Sequence, residues 1–264
     1  MDSTSNSPLL AVRDVIVRFG GIMALDGISF EMAEGQILGL IGPNGAGKTT
    51  MFNCLSRLYT PTSGEIEFSG TSILSRPAHH MADIGIGRTF QNVALFKNMT
   101  TRDNIRVGAH TSSTGDFFSD SLHLPWAKQQ AREIDETVDE LIEYLKLGDA
   151  ADRLVAGLPF GTQKRIEIAR ALASKPRVLL LDEPAGGLNH DEVGALGELI
   201  KQIRDDRKVS ILLVEHHMGL VMSISEKVVV LNFGKKIAEG TSTEVQSHPA
   251  VIEAYLGGSH DAAA

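Results

Sequence analysis

The run Gly42-Pro43-Asn44-Gly45-Ala46-Gly47-Lys48-Thr49 fits G-x-x-x-x-G-K-[ST] at every fixed position. Its glycines let the backbone curl tightly enough to aim successive N–H groups at one anion. A helix starting near Gly47 would add its positive dipole end. Lys48 is placed to reach the β- and γ-phosphates of a nucleotide, and the Thr49 hydroxyl to ligate Mg²⁺. Thr50 belongs to the same candidate nucleotide-binding set. The competing reading is a glycine-rich turn with an incidental lysine. The apolar strand before the run and the apolar helix after it count against that. A second candidate is Val178-Leu179-Leu180-Leu181-Asp182-Glu183, an apolar run ending in an acidic pair. Asp182 would hold the metal, through water, because Mg²⁺ keeps several waters. Glu183 would orient an attacking water and accept its proton. An acidic pair after an apolar run is also an ordinary strand-end turn; the phosphate loop upstream favours the chemical reading.

These groups need elements to hold them. Leu9 to Phe19 is rich in valine and alternates loosely, Ile28 to Met32 and Gln36 to Ile41 flank the turn Ala33-Glu34-Gly35, and Glu65 to Phe68 follows the turn signal Pro61 to Gly64. Between Trp126 and Leu147 the apolar positions Ile134, Val138, Leu141, Ile142 and Leu145 recur at three and four, one stripe of a helix. The polar stretch Thr111 to Asp120 reads as a loop. Gln163 to Ala173 reads as a second helix, so Gln91 to Ala173 is a helix-rich insert. Arg177 to Leu181 and Val209 to Val214 are continuous apolar runs, as strands buried on both faces are. Asp191 to Asp205 between them is helical, and Val228 to Glu239 is a hairpin turning at Gly234. Alternation of strand and helix indicates a parallel sheet with helices packed on it.

The chain has 264 residues, 42% hydrophobic and 22% charged, with a net charge of −8. That is an ordinary globular composition. The acidic balance argues against nucleic-acid backbone as a partner. The single cysteine, Cys54, cannot form an internal disulfide and reads as a buried small hydrophobe. No apolar run approaches the roughly 20 residues of a membrane helix, and the polar start does not read as a secretory signal. The expected location is therefore cytoplasmic.

With these motifs in order, the chain resembles the ATPase subunits of ABC transporters over nearly its whole length. The resemblance implies that ATP and Mg²⁺ are the cofactors. It implies that Phe19 stacks on adenine, although that residue could equally be core. Gln91, in Arg88-Thr89-Phe90-Gln91-Asn92, would be the glutamine that touches Mg²⁺ and senses the membrane subunit. Leu158-Pro159-Phe160-Gly161-Thr162-Gln163-Lys164-Arg165 stands in the place of the family signature, usually L-S-G-G-Q-x-Q-R. Gly161 would act there in trans, on ATP held by a second protomer. Pro159, Phe160 and Thr162 depart from the usual Ser, Gly and Gln, which removes the usual serine contact to phosphate. Gly187-Leu188-Asn189 resembles the D-loop across the dimer. His216 resembles the switch histidine and joins Glu183, Lys48 and Gln91 as a catalytic candidate. His217 receives no role, and His79 and His80 read as surface.

Within that family the chain is most similar to the ATPases of branched-chain amino-acid importers. The signature of form L-P-[FY]-G-x-Q-[RK]-R, the Val214-Glu215-His216 switch and the tail Val251-Ile252-Glu253-Ala254-Tyr255-Leu256-Gly257 carry this. ATPases of lipopolysaccharide export share the switch and a tyrosine-leucine-glycine tail, so export is the alternative, with a nucleic-acid-handling ABC ATPase behind it. The fold expected is α/β, a P-loop NTPase with a mixed-sheet core, an antiparallel β lobe and a helical insert. Its domain would span 9–264, with 9–90 and 174–240 as nucleotide-binding core, 91–173 as the helical signature subdomain and 241–264 as a C-terminal tail. The partners implied are transmembrane permease subunits, a second ATPase protomer and, indirectly, a periplasmic or extracellular solute-binding protein. The chain would sit peripherally at the inner face of the cell membrane.

Overall fold

The computed structural model describes residues 7–89, 94–110 and 125–256. The chain divides into two compact units, one of Met1–Met81, Leu180–Ala185 and Asn189–Ala264, the other of Ala82–Leu179 and Gly186–Leu188.

The first unit contains two sheets. Strands β1 (Leu10–Phe19), β2 (Ile22–Met32), β4 (Ser63–Phe68) and β5 (Thr71–Ser72) form an antiparallel sheet of order β2-β1-β4-β5. In β1, Leu10, Val12, Val15 and Val17 are buried. Strict alternation from Val12 would turn Asp14 inward. Instead the register slips between Val12 and Val15, Asp14 takes φ +49°, and Val15 and Val17 regain the buried face. That bulge is why the sequence alternates only loosely. β2 begins at Ile22, six residues before the expected Ile28, because the strand runs through Gly27 (φ +71°).

The second sheet of this unit runs in the order β10 (Lys235–Gly240), β9 (Lys227–Asn232), β3 (Ile37–Ile41), β8 (Ser210–Val214), β7 (Val178–Asp182). β3 pairs in parallel with both β8 and β9, and β9 with β10 in antiparallel, so the sheet is mixed. Every residue of β3, β7 and β8 is buried, as helices on both faces require. The helices of this unit are α1 (Lys48–Leu55), α5 (His190–Arg207), α6 (Met218–Ile224), α7 (Ser242–Gln246) and α8 (Pro249–Leu256). α6 presses close on β3: a Cβ at Gly39 would lie 2.6 Å from Val221 Cγ1. Asn189 and Glu192 close a capping box that starts α5.

The second unit carries β6 (Ile86–Arg88) and helices α2 (Thr101–His110), α3 (Pro125–Tyr144) and α4 (Phe160–Leu172). Val138, Leu141, Ile142 and Leu145 of the expected stripe are buried, with Ile105, Val155, Ile166 and Ile168. α2 meets α4 backbone to backbone, since a Cβ at Gly108 would lie 2.0 Å from the Arg170 carbonyl oxygen. The stretch read as a loop, Thr111 to Asp120, lies outside the described residues. α4 starts at Phe160, three residues before the expected Gln163. Pro159 caps it, a position where the missing N–H of proline costs nothing. Among the described residues, no helix is long and apolar enough to cross a membrane.

Candidate functional site

β3 ends at Ile41 and α1 begins at Lys48, so Gly42 to Gly47 form the turn between a buried strand and a helix. Two of its glycines are required by space. A Cβ at Gly42 would stand 2.1 Å from the Leu231 carbonyl oxygen. At Gly47 (φ +103°) it would stand 2.7 Å from Leu25 Cδ2 and 2.8 Å from the Ala24 oxygen. The turn is also pinned from the β9–β10 hairpin, where Gly234 N–H donates to Ala46 O (3.0 Å) and Asp26 N–H to Gly234 O (2.8 Å). Gly47 caps α1 with no side chain, leaving the first N–H groups of the helix to an anion.

Lys48 is buried, and its ammonium donates to Gly42 O (2.7 Å) and Pro43 O (3.0 Å). It is therefore folded back over the mouth of the turn, where phosphate oxygens would compete with those carbonyls. Burial lowers its pKa below the ordinary lysine value, and the charges of Glu183 and Asp182 oppose that shift, so the two carboxylates share its electrostatic surroundings. Thr49 is exposed and Thr50 half-buried. Pro43, Asn44, Gly45 and Ala46 complete the turn, with Asn44 and Gly45 exposed.

The acidic pair stands at the carboxyl end of β7. Asp182 is 2% exposed. Glu183 has φ +46°, a left-handed conformation that costs a non-glycine residue about 1 kcal/mol or more. Its N–H donates to Val214 O (2.9 Å), which levels the ends of β7 and β8 and holds the strained residue in place. His216 Nδ1 lies 3.7 Å from Glu183 Oε2, on a largely exposed ring. The residue that organises this edge is one that no sequence motif singles out on its own, Glu215. Glu215 is completely buried; its Oε1 accepts from Ala185 N–H (2.7 Å), and its Oε2 from the N–H groups of His216 (3.1 Å) and His217 (3.2 Å). One carboxylate thus binds the segment after Glu183 to the segment bearing His216. His217 also has work: its Nδ1 accepts from Leu220 N–H (3.3 Å) and caps α6.

Phe19 is half exposed, and its ring meets Tyr59 edge-on with centroids 5.2 Å apart. It is an accessible aromatic surface and not a core residue. Gln91 lies outside the described residues. In the second unit Gly161 is the second residue of α4, and the N–H groups of Thr162 and Gln163 both donate to Pro159 O at 3.0 Å. Phe160 covers Gly187 (φ +81°), where a Cβ would lie 2.9 Å from Phe160 Cε1. Cys54 is buried, as expected, and His79 and His80 are exposed.

The fit to a divalent ion rests on the chemistry of the donors. An exposed threonine hydroxyl and a buried carboxylate are both hard oxygen ligands, and among the described residues no three His, Cys, Asp or Glu side chains form a cage. Two protein oxygens suit Mg²⁺, which is usually bound through one or two side chains, phosphates and waters.

A glycine turn between a buried strand and a helix, together with an acidic pair whose second member is a strained glutamate, defines the phosphate-loop nucleoside-triphosphatases as the class. Within that class the chain belongs to the ABC transporter family, whose model matches residues 25–186. A second model, described as branched-chain amino acid ATP-binding cassette transporter, matches residues 235–261. The chain is 44% identical to the high-affinity branched-chain amino acid transport ATP-binding protein BraF of Pseudomonas aeruginosa, over 95% of this chain and 98% of that protein. It is 41% identical to LivG of Escherichia coli, of the same description, over 96% and 99%. Among solved structures, the ADP conformation of an ATP-binding cassette of an ABC transporter superposes with TM-score 0.81 at 28% identity, covering 95% of this chain and 99% of that one. The chain is an ABC ATPase, with the α/β phosphate-loop fold expected from its sequence.

Proposed function

We propose that this chain is the ATP-hydrolysing subunit of an importer for branched-chain or related amino acids, driving permease subunits in the membrane from its inner face. The names of its relatives, which are those of high-affinity branched-chain amino acid transport proteins, support that substrate class. The observation that carries the hydrolytic reading is the common electrostatic surroundings of Lys48, Asp182 and Glu183, with Glu183 in a strained backbone conformation. Gly42 to Gly47 and Thr50 would bind the phosphates through backbone N–H groups and the hydroxyl, and Phe19 would stack on adenine. Lys48 would exchange its two carbonyl acceptors for β- and γ-phosphate oxygens. Thr49 and Asp182 would hold Mg²⁺, with Gln91 as a further ligand; the ion supplies charge neutralisation on the phosphates. Glu183 takes a proton from the attacking water, and His216, beside it, donates to the γ-phosphate as charge develops there.

Gly161 acts in trans, in a second protomer, where the opening turn of α4 presents N–H groups to the γ-phosphate. ATP then joins two protomers, and hydrolysis releases them. A solute-binding protein outside the membrane would be coupled through the permease alone, and nucleic acid has no part in the cycle. Glu183→Gln tests the assignment. It keeps MgATP affinity within about threefold, lowers kcat by on the order of 10²–10⁴ and accumulates an ATP-dependent dimer in sedimentation. Hydrolysis at the wild-type rate would remove Glu183 from the role of base.

A further inference from the structure

Tyr59 lies in the return from α1 to β4, far in sequence from Phe19, yet the two rings meet edge-on with centroids 5.2 Å apart. Both residues remain exposed, Phe19 by 46% and Tyr59 by 39%. The backbone beneath them is nevertheless fixed. Tyr59 N–H donates to Asn53 O of α1 (3.0 Å), and Tyr59 O accepts from Arg57 Nη1 (3.3 Å). Thr62 ties the same segment to β1: its N–H donates to Ile16 O (2.7 Å), and its hydroxyl accepts from Arg18 N–H (3.1 Å), one residue before Phe19. The helix that opens at Lys48 thus leads at its far end into a segment fastened to the strand that ends in Phe19. Whichever ring presents its edge, an edge-on pair leaves at least one face of Phe19 uncovered by Tyr59. The contact narrows the rotamers open to Phe19 and leaves that face for a flat ring to stack on.

We propose that Tyr59 is a positioning residue for the nucleotide base, holding the Phe19 ring at a fixed angle so that its open face receives the purine. This rests on the reading of Phe19 as the residue that stacks on adenine. An unsupported Phe19 ring has to be ordered when the base arrives, and that ordering costs affinity. With Tyr59 against it, the ring is ordered beforehand. The benefit is confined to ligands that carry a base.

Tyr59→Ala removes the ring from an exposed position, and titration of the full chain with two probes reads the result. MgATP affinity should weaken about 3- to 10-fold, the range of one aromatic pair. Affinity for magnesium tripolyphosphate, which has the phosphates and no base, should be unchanged; a damaged phosphate loop or a misfolded chain would weaken both probes. At saturating MgATP, kcat should stay within about twofold, since only uniform binding is lost. Tyr59→Phe keeps the ring and should bind both probes as the wild type does. In a Phe19→Ala background, Tyr59→Ala should cost nothing further, because it acts through Phe19. The proposal is overturned by unchanged MgATP affinity in Tyr59→Ala or by an equal loss for tripolyphosphate. It is also overturned by a full additional loss on top of Phe19→Ala, which would make Tyr59 a direct contact to the base. Failure of the adenine reading shows separately: Phe19→Ala would itself leave MgATP affinity unchanged, and the proposal would fall with it.

Discussion

Glu215→Gln tests how the catalytic edge is held together. Three backbone N–H groups converge on the two oxygens of Glu215, at 2.7 Å from Ala185, 3.1 Å from His216 and 3.2 Å from His217, in a site with no solvent exposure. An amide offers one acceptor oxygen and one NH₂ group. If the oxygen stays with the two histidine N–H groups, the NH₂ confronts Ala185 N–H and the shortest of the three bonds is lost. If it turns round, two bonds are lost. The cheaper arrangement forfeits one bond to a charged acceptor, about 2 kcal/mol, and leaves a buried N–H unsatisfied for about 1 kcal/mol more. A loss of about 3 kcal/mol in a chain of this size lowers Tm by about 6–12 °C. The segment after Glu183 and the segment bearing His216 are then no longer fixed to each other. Displacing a base by about 1 Å costs on the order of 10²-fold in rate. Calorimetry should therefore show the fall in Tm, and steady-state hydrolysis a kcat reduced 10- to 100-fold, while MgATP affinity stays within about threefold because the loop and Lys48 are untouched. A variant with wild-type kcat and a Tm within about 1 °C would refute the positioning role. A loss of affinity as large as the loss of kcat would show that the edge and the phosphate loop are not separable.

Lys48→Ala should weaken MgATP binding by about 10- to 100-fold, because it deletes charge-assisted bonds to phosphate of roughly 1.5–3 kcal/mol; an isothermal titration reads this directly. Cys54, whose thiol burial pushes up to about 11, should resist iodoacetamide at pH 8 in the folded chain and react once the chain is unfolded. Its thiolate fraction at that pH is lower than that of a free cysteine by on the order of 100-fold. Labelling of the native protein at the free-thiol rate would contradict its placement.

The parts of this fold that were legible in the sequence are those set by local pattern. β3, β7 and β8 are short apolar runs because helices cover both their faces, and the phosphate loop is a fixed spacing of glycines and a lysine that needs no distant partner to be recognised. What could not be read is set by groups far apart in the chain. Glu215 looks like any acidic residue after a strand until Ala185 N–H is found at its carboxylate, 30 residues upstream. The early start of α4 is not legible because proline and glycine read as breakers, whereas in the cap and first turn the N–H groups have no helical acceptor to lose. The full length of β2 is hidden because Gly27 and Asp26 interrupt its alternation, and only pairing with β1 as far as Phe19–Ile22 reveals it.

The altered signature can be argued the same way. Pro159 caps α4 without a side-chain bond, so the helix start keeps its N–H groups at Phe160 and Gly161 for an outside acceptor. A carboxylate at position 161 would sit in that first turn, where it favours the helix by about 0.3–1 kcal/mol. Gly161→Asp should therefore fold, and the monomer should bind MgATP as before, since its own phosphate loop lies in the other unit. What the carboxylate should prevent is the approach of a partner's γ-phosphate. Two like unit charges 4 Å apart repel by about 4 kcal/mol near a protein surface, and even half of that is more than tenfold in association. The expected result is loss of ATP-driven dimerisation in sedimentation and of phosphate release, with monomer affinity retained. Pro159→Ser should keep hydrolysis, because it only adds a cap of about 1 kcal/mol to α4. Normal dimerisation and hydrolysis by Gly161→Asp would mean that the start of α4 does not meet the partner's nucleotide, and the trans role proposed for Gly161 would have to be given up.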